Sequence, residues 1–284
     1  MTETPLAARA PQPSPGFLYA SMRVFDLSIG EMLWSRRTVF MGLVVGLPVF
    51  VAIIIRVISE LGASPISINN SSVQGPIIFG LMMWGFFIRF SVPVLGVFYG
   101  TSLIADEVED KTITYLFTRP IPRGAILLGK YLAYLVCTIF VVLPAVTIVW
   151  LLIVPMGGSL GSSFPDLLKD LGLLALGLAV YGAVFAFVGA TFKRPLLAGL
   201  IFVLGWEPLA VALPGYLRRV SVAYYLQGLV PHAMPSNSPM SLIQDLFREV
   251  PPLGTSLFWL AAITLGFLWL AARKVSKREY VLEQ

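Results

Sequence analysis

The strongest constraint on this chain is a set of stretches about twenty residues long in which charged side chains are almost absent, the length an α-helix needs to cross a bilayer. They fall at 38–55, 83–105, 131–155, 171–192, 195–214 and 250–272. Only Arg89 and Glu207 interrupt them. Backbone polar groups in hydrocarbon must be satisfied within the segment, so runs of this kind fold as helices. The expected fold is therefore all-α, a polytopic membrane protein with six transmembrane helices. Charged residues make up 12% of the 284 positions, about half the share in a soluble domain, and the mean hydropathy is +0.84. Disorder is excluded by that hydrophobicity. The single cysteine, Cys137, excludes a disulfide scaffold. A nucleic-acid partner is excluded because the net charge of +5 is nowhere gathered into a basic tract.

Outside the spans the chain divides by composition. Residues 1–16 hold four prolines and no apolar run, and they read as a disordered cytoplasmic tail rather than a signal peptide. In 17–37, Leu18, Met22, Phe25, Ile29 and Met32 recur at spacings of four and three, with Arg23, Asp26 and Glu31 off the stripe. This predicts an amphipathic helix lying in the membrane interface, ending at the pair Arg36 and Arg37. A soluble helix with an apolar face is the other reading. The membrane domain is expected over 38–273, with a cytosolic loop at 106–123. Residues 215–249 are expected to form two short helices in a re-entrant outer segment before the last span, because Pro231, Pro235 and Pro239 break them. Residues 274–284 complete the chain as a cytoplasmic tail.

Orientation follows from the basic residues, which concentrate on the cytoplasmic side of membrane proteins. With the N-terminus inside, 14 of the 20 Lys and Arg fall in cytoplasmic segments and five outside, leaving Arg89 in the membrane. Both termini are then cytoplasmic.

The most polar stretch joins the second and third spans. Asp106, Glu107, Glu109 and Asp110 open it, and Ile113, Leu116 and Phe117 form a small apolar face at i, i+3, i+4 before Pro120 and Pro122 end the helix. Acids in a helix's first turn are stabilised by its dipole. An acidic end beside an apolar face fits a protein partner, and a solvated helical connector is the competing reading.

Residues 100–135, GTSLIADEVEDKTITYLFTRPIPRGAILLGKYLAYL, resemble the segment between the second and third spans of type 2 ABC exporter permeases. Glu107, Thr112, Pro120, Arg123, Gly129 and Lys130 occupy the places of that family's pattern. Residues 206–229 are similar to the exit of its fifth span, and the interfacial helix and outer segment extend the likeness over nearly the whole chain. Asp110 and Lys111 depart from it where the family more often has Gly before Thr.

The resemblance implies a permease subunit that dimerises, as a homodimer or heterodimer, to form the translocation pathway of an exporter in the plasma (inner) membrane. It implies two copies of a separate cytosolic ATPase as partners, with ATP and Mg on that partner and no cofactor on this chain. It also implies that the loop from Asp106 to Arg123 is a coupling helix and that 17–37 braces it. A non-ABC channel or carrier is the nearest alternative.

Two motif matches point elsewhere. Gly124 to Lys130 reads G-x-x-x-x-G-K, but Tyr131 stands where a hydroxyl should hold Mg²⁺, so no phosphate loop is expected and Lys130 reads as a headgroup anchor. Gly157-Gly158-Ser159-Leu160-Gly161 fits the nucleophile elbow of serine hydrolases, with His232 as the one base; it also fits a flexible linker. No catalytic or metal-binding residue is expected. Small residues line the fourth span from Gly172 to Ala190, which permits close helix packing, within the subunit or at a dimer seam.

The two intramembrane charges are functional candidates because lipid makes them costly. At about 1.5 Å per residue, Arg89 lies roughly 24 Å above Ala105 and Glu207 roughly 18 Å above Pro195. They are expected to meet, directly or through water, in the outer third of the bundle, or else to reach the outer headgroups separately. The spans offer a hydrophilic solute few partners, which points toward an amphipathic or apolar cargo.

Overall fold

The computed structural model describes residues 16–34, 36–62, 67–68, 71–72, 74–109, 122–212, 215–230 and 251–277. The described chain is helical apart from an antiparallel bridge between β1 (Ser67–Ile68) and β2 (Ser71–Ser72). The helices are α1 (Phe17–Leu33), α2 (Arg36–Glu60), α3 (75–109), α4 (Arg123–Ile153), α5 (Leu160–Thr191), α6 (Pro195–Ala210), α7 (Val222–Gln227) and α8 (Leu253–Lys277).

Five of these, α2, α3, α4, α5 and α8, are long and apolar enough to cross a membrane. The expected fifth span corresponds to the shorter apolar helix α6, so the described residues support a multi-pass helical protein with five helices of spanning length. The helices overrun the charge-free windows because charges are tolerated where a helix emerges from hydrocarbon. Thus α5 begins at Leu160, and Asp166 and Lys169 sit in its early turns as an i,i+3 ion pair of 2.9 Å. Of the expected outer segment, 215–230 form a 3₁₀ helix (Gly215–Val220) followed by α7; residues 231–249 lie outside the described residues.

The core centres on α5, which packs against α3, α4, α6 and α8. Small residues on both sides allow this: a Cβ added to Gly177 of α5 would lie 3.1 Å from a methyl of Val92 on α3, and one added to Gly96 of α3 would lie 2.7 Å from the Cβ of Tyr181 on α5. From α4, the Tyr131 and Tyr134 hydroxyls donate to the α5 carbonyls of Ala179 and Leu178 at 2.8 and 2.9 Å. Such bonds matter in an apolar bundle, where an unpaired hydroxyl loses its water partner without replacement. The small residues of the fourth span therefore pack within the subunit.

The apolar stripe expected in the N-terminal helix is not its buried face. Leu18 and Met22 are exposed, whereas Ala20, Ser21 and Ser28 are buried against α4. Gly129 of α4 makes this possible, since a Cβ there would lie 2.5 Å from the Ser21 carbonyl oxygen. Small residues set the contact because close backbone approach, not side-chain bulk, gains packing between helices in an apolar medium. The larger residues, Trp34 and Leu27 among them, are left facing outward.

The helix α3 is not uniform. Its turns widen into π-helix at Met83–Ser91 and Gly96–Gly100, and α6 does the same at Phe202–Trp206. Such insertions rotate the side chains beyond them relative to a regular helix and are frequent at functional sites. The two charges expected in the membrane adjoin them: Arg89 lies inside the first, and Glu207 directly follows the third.

Candidate functional site

At the basic end of the bundle, the acids that open the loop between α3 and α4 are not in the first turn of a new helix. Asp106 and Glu107 belong to the closing segment of α3, Ser102–Glu109. At a helix C-terminus the dipole disfavours negative charge, and each acid is offset by a cation from a different helix. Asp106 receives both terminal nitrogens of Arg37 from α2, at 2.6 Å each. Glu107 is ion-paired with Lys130 of α4.

The two pairs differ in burial. Side-chain exposure is 40% and 38% for Arg37 and Asp106, but 11% and 18% for Lys130 and Glu107. The exposed pair is worth on the order of 0–1 kcal/mol. Breaking the inner one strands a nearly dry charge, at a cost of about 3 kcal/mol or more. Lys130 is thus not a headgroup anchor: its stem runs through the packed core and its ammonium finds a carboxylate before it finds lipid. Together the pairs lock the last turn of α3 to α2 and α4.

The far side of the loop is anchored as well. Arg123, the first residue of α4, donates to the Ser276 carbonyl near the end of α8 at 3.3 Å. Glu109 lies in the α3 backbone path. Asp110, Thr112, Ile113, Leu116, Phe117 and Pro120 lie outside the described residues, as does His232. Ser159 precedes the first turn of α5, and its carbonyl accepts from the Ser162 hydroxyl. The G-x-x-x-x-G-K stretch lies within the regular helix α4, where Gly129 serves the α1 contact rather than a phosphate loop.

Toward the other end, Glu207 is only 5% exposed. Its carboxylate accepts from the Ser221 hydroxyl and from the backbone N–H groups of Val222 and Ala223 at 3.2 and 3.3 Å, and it is hydrogen-bonded to Tyr181 of α5. Those amides open α7, so Glu207 caps that helix from α6 and meets the positive end of its dipole. One side chain ties α5, α6 and α7 together.

Arg89 faces the same place. It lines a cavity of about 30 Å³ with Trp84, Tyr181, Glu207 and Gln227, room for one or two waters. No ion pair within 4.0 Å joins Arg89 to Glu207; the guanidinium lies 5.4 Å from the centre of the Trp84 ring. The two charges share a cavity while each has its own partners.

Three partners escaped the sequence reading. Ser221 was detectable as a helix cap, a Ser directly before an apolar run. Tyr181, and the pairing of Lys130 with Glu107, carry no local signal, because each joins different helices.

The family model described as ABC-2 family transporter protein matches residues 15–272. No curated protein matches the chain.

Proposed function

Because the chain belongs to the ABC-2 family of transporter proteins, we propose that it is the permease subunit of an ATP-driven exporter, coupled to its ATPase through the loop between α3 and α4. The family is one of membrane subunits that partner with an ABC ATPase. Two such subunits form the pathway, two copies of the cytosolic ATPase drive it, and ATP and Mg are held by that partner. Both termini face the cytosol, in keeping with the excess of basic residues at that end.

The observation that carries the coupling reading is the pair of ion pairs Arg37–Asp106 and Lys130–Glu107. A push on the loop is delivered to α3, and through these ties to α2 and α4 at once. ATP closes the ATPase dimer, the loops of the two subunits approach each other, and the helices rock as bodies from inward-facing to outward-facing. The shift can be no larger than the difference in ATP affinity between the two states. The outer tie at Glu207 holds α7 to α5 and α6 and makes that end a unit the rocking helices open or close.

Purification of the tagged chain from its native membrane tests this. A Walker-motif ATPase is expected to co-purify, and the double substitution Leu116→Asp with Phe117→Asp is expected to release it without lowering the melting temperature of the permease. Retention of the ATPase by that variant would place the contact elsewhere.

A further inference from the structure

We propose that the cleft at the basic end between α2 and α6 binds the headgroup of an anionic membrane lipid. Its volume is about 510 Å³, within the range of small-molecule sites. The floor is α3, from Phe98 to Asp106; Phe40 of α2 forms one wall, 4.2 Å from the Phe98 ring, and the start of α6 forms the other.

The cleft's polar groups define what it can hold. The Thr101 and Ser102 hydroxyls already donate to the carbonyls of Val97 and Tyr99 at 2.6 and 2.8 Å. Arg37 is committed in bidentate fashion to Asp106, the one carboxylate of the lining. Lys193 and Arg194 are different: both are exposed, and neither has an acidic partner within ion-pair distance among the described residues. The donors left over are therefore cationic, and the ligand must bring acceptor oxygens and negative charge. A phosphodiester does both.

The rest of the rim argues for a lipid rather than a dissolved anion. Leu196 and Leu197, which line the cleft beside the cations, are exposed. Acyl chains would lie on these surfaces with the phosphate on Lys193 and Arg194. Basic recesses between helices at the cytosolic surface suit anionic headgroups, and each Lys or Arg there contributes about fivefold to binding.

The inference rests on the reading of the chain as a membrane subunit with this end in the cytosol. Lipid binding is nonetheless read without an ATPase, so failure of the site would leave the coupling proposal standing, and the converse holds.

Native mass spectrometry of the detergent-purified full chain, titrated with phosphatidylglycerol, phosphatidylcholine or inorganic phosphate, tests it. Lys193→Gln with Arg194→Gln is expected to weaken phosphatidylglycerol retention roughly twenty-five-fold and leave phosphatidylcholine unchanged. The control Lys274→Gln with Lys277→Gln at the end of α8 is expected to change it less than twofold. Leu197→Trp, which fills the cleft and keeps both cations, is expected to weaken retention too. This variant decides the matter if the Gln pair fails to fold. Undiminished retention in the cleft variants, equal loss in the control, or displacement of the lipid by an equal concentration of inorganic phosphate would overturn the proposal.

Discussion

Lys130 of α4 and Glu107 of α3 form an ion pair that is largely withdrawn from solvent, with side-chain exposures of 11% and 18%. It joins the last turn of one span to a residue about two turns into the next, directly across the base of the loop that links them. The geometry makes the loop's foundation stiff.

Removing one member of this pair strands the other. Lys130→Ala is expected to destabilise the permease by about 3 kcal/mol, measured by thermal or denaturant unfolding in detergent. Arg37→Ala, which opens the half-exposed pair with Asp106, is expected to cost about 1 kcal/mol or less. Equal losses in the two variants would contradict the difference in burial on which the expectation rests.

Glu207 is expected to act as a cap rather than as the counter-ion of Arg89. Ser221→Ala removes one donor and is expected to cost about 1 kcal/mol, whereas Glu207→Leu leaves the Val222 and Ala223 amides without their acceptor and costs about 2–3 kcal/mol. Charge exchange, Arg89→Glu with Glu207→Arg, is expected to restore none of the lost stability. An arginine at 207 cannot accept from backbone amides. Recovery in the exchanged protein would show a direct pair instead.

Two glycines on helix surfaces separate close approach from mere composition. Gly129→Ala places a Cβ 2.5 Å from the Ser21 carbonyl oxygen and is expected to destabilise by about 1–3 kcal/mol through displacement of α1. Gly172→Ala meets nothing within 4 Å and is expected to be neutral or stabilising by about 0.5–1 kcal/mol. Limited proteolysis before Phe17, faster in the first variant and unchanged in the second, reports on α1 itself.

Charge placement made the spans legible, because the cost of burying Asp, Glu, Lys or Arg in lipid acts on every window independently of its neighbours. It also singled out Arg89 and Glu207. The same criterion misplaced helix ends, since Asp166 and Lys169 can sit in α5 once that helix has left the hydrocarbon. In α1 the apolar stripe does not identify the contact with α4, because Ala20, Ser21 and Ser28 are buried there through close backbone approach. The acids at 106 and 107 were visible as a cluster, but reading them as a helix start missed that α3 runs through them. Their partners, Arg37 and Lys130, are 69 and 23 residues away. Such pairings are set by how whole helices pack, which no local window contains.

Force from the ATPase is expected to enter through the loop whose base the Glu107–Lys130 pair holds. The most direct test is ATP hydrolysis by the complete complex in lipid nanodiscs, compared with the ATPase alone. The complex is expected to differ from the isolated ATPase. Glu107→Lys is expected to abolish that difference, and Glu107→Lys with Lys130→Glu to restore most of it. Hydrolysis that ignores the single reversal, or a double reversal no better than the single one, would contradict the account.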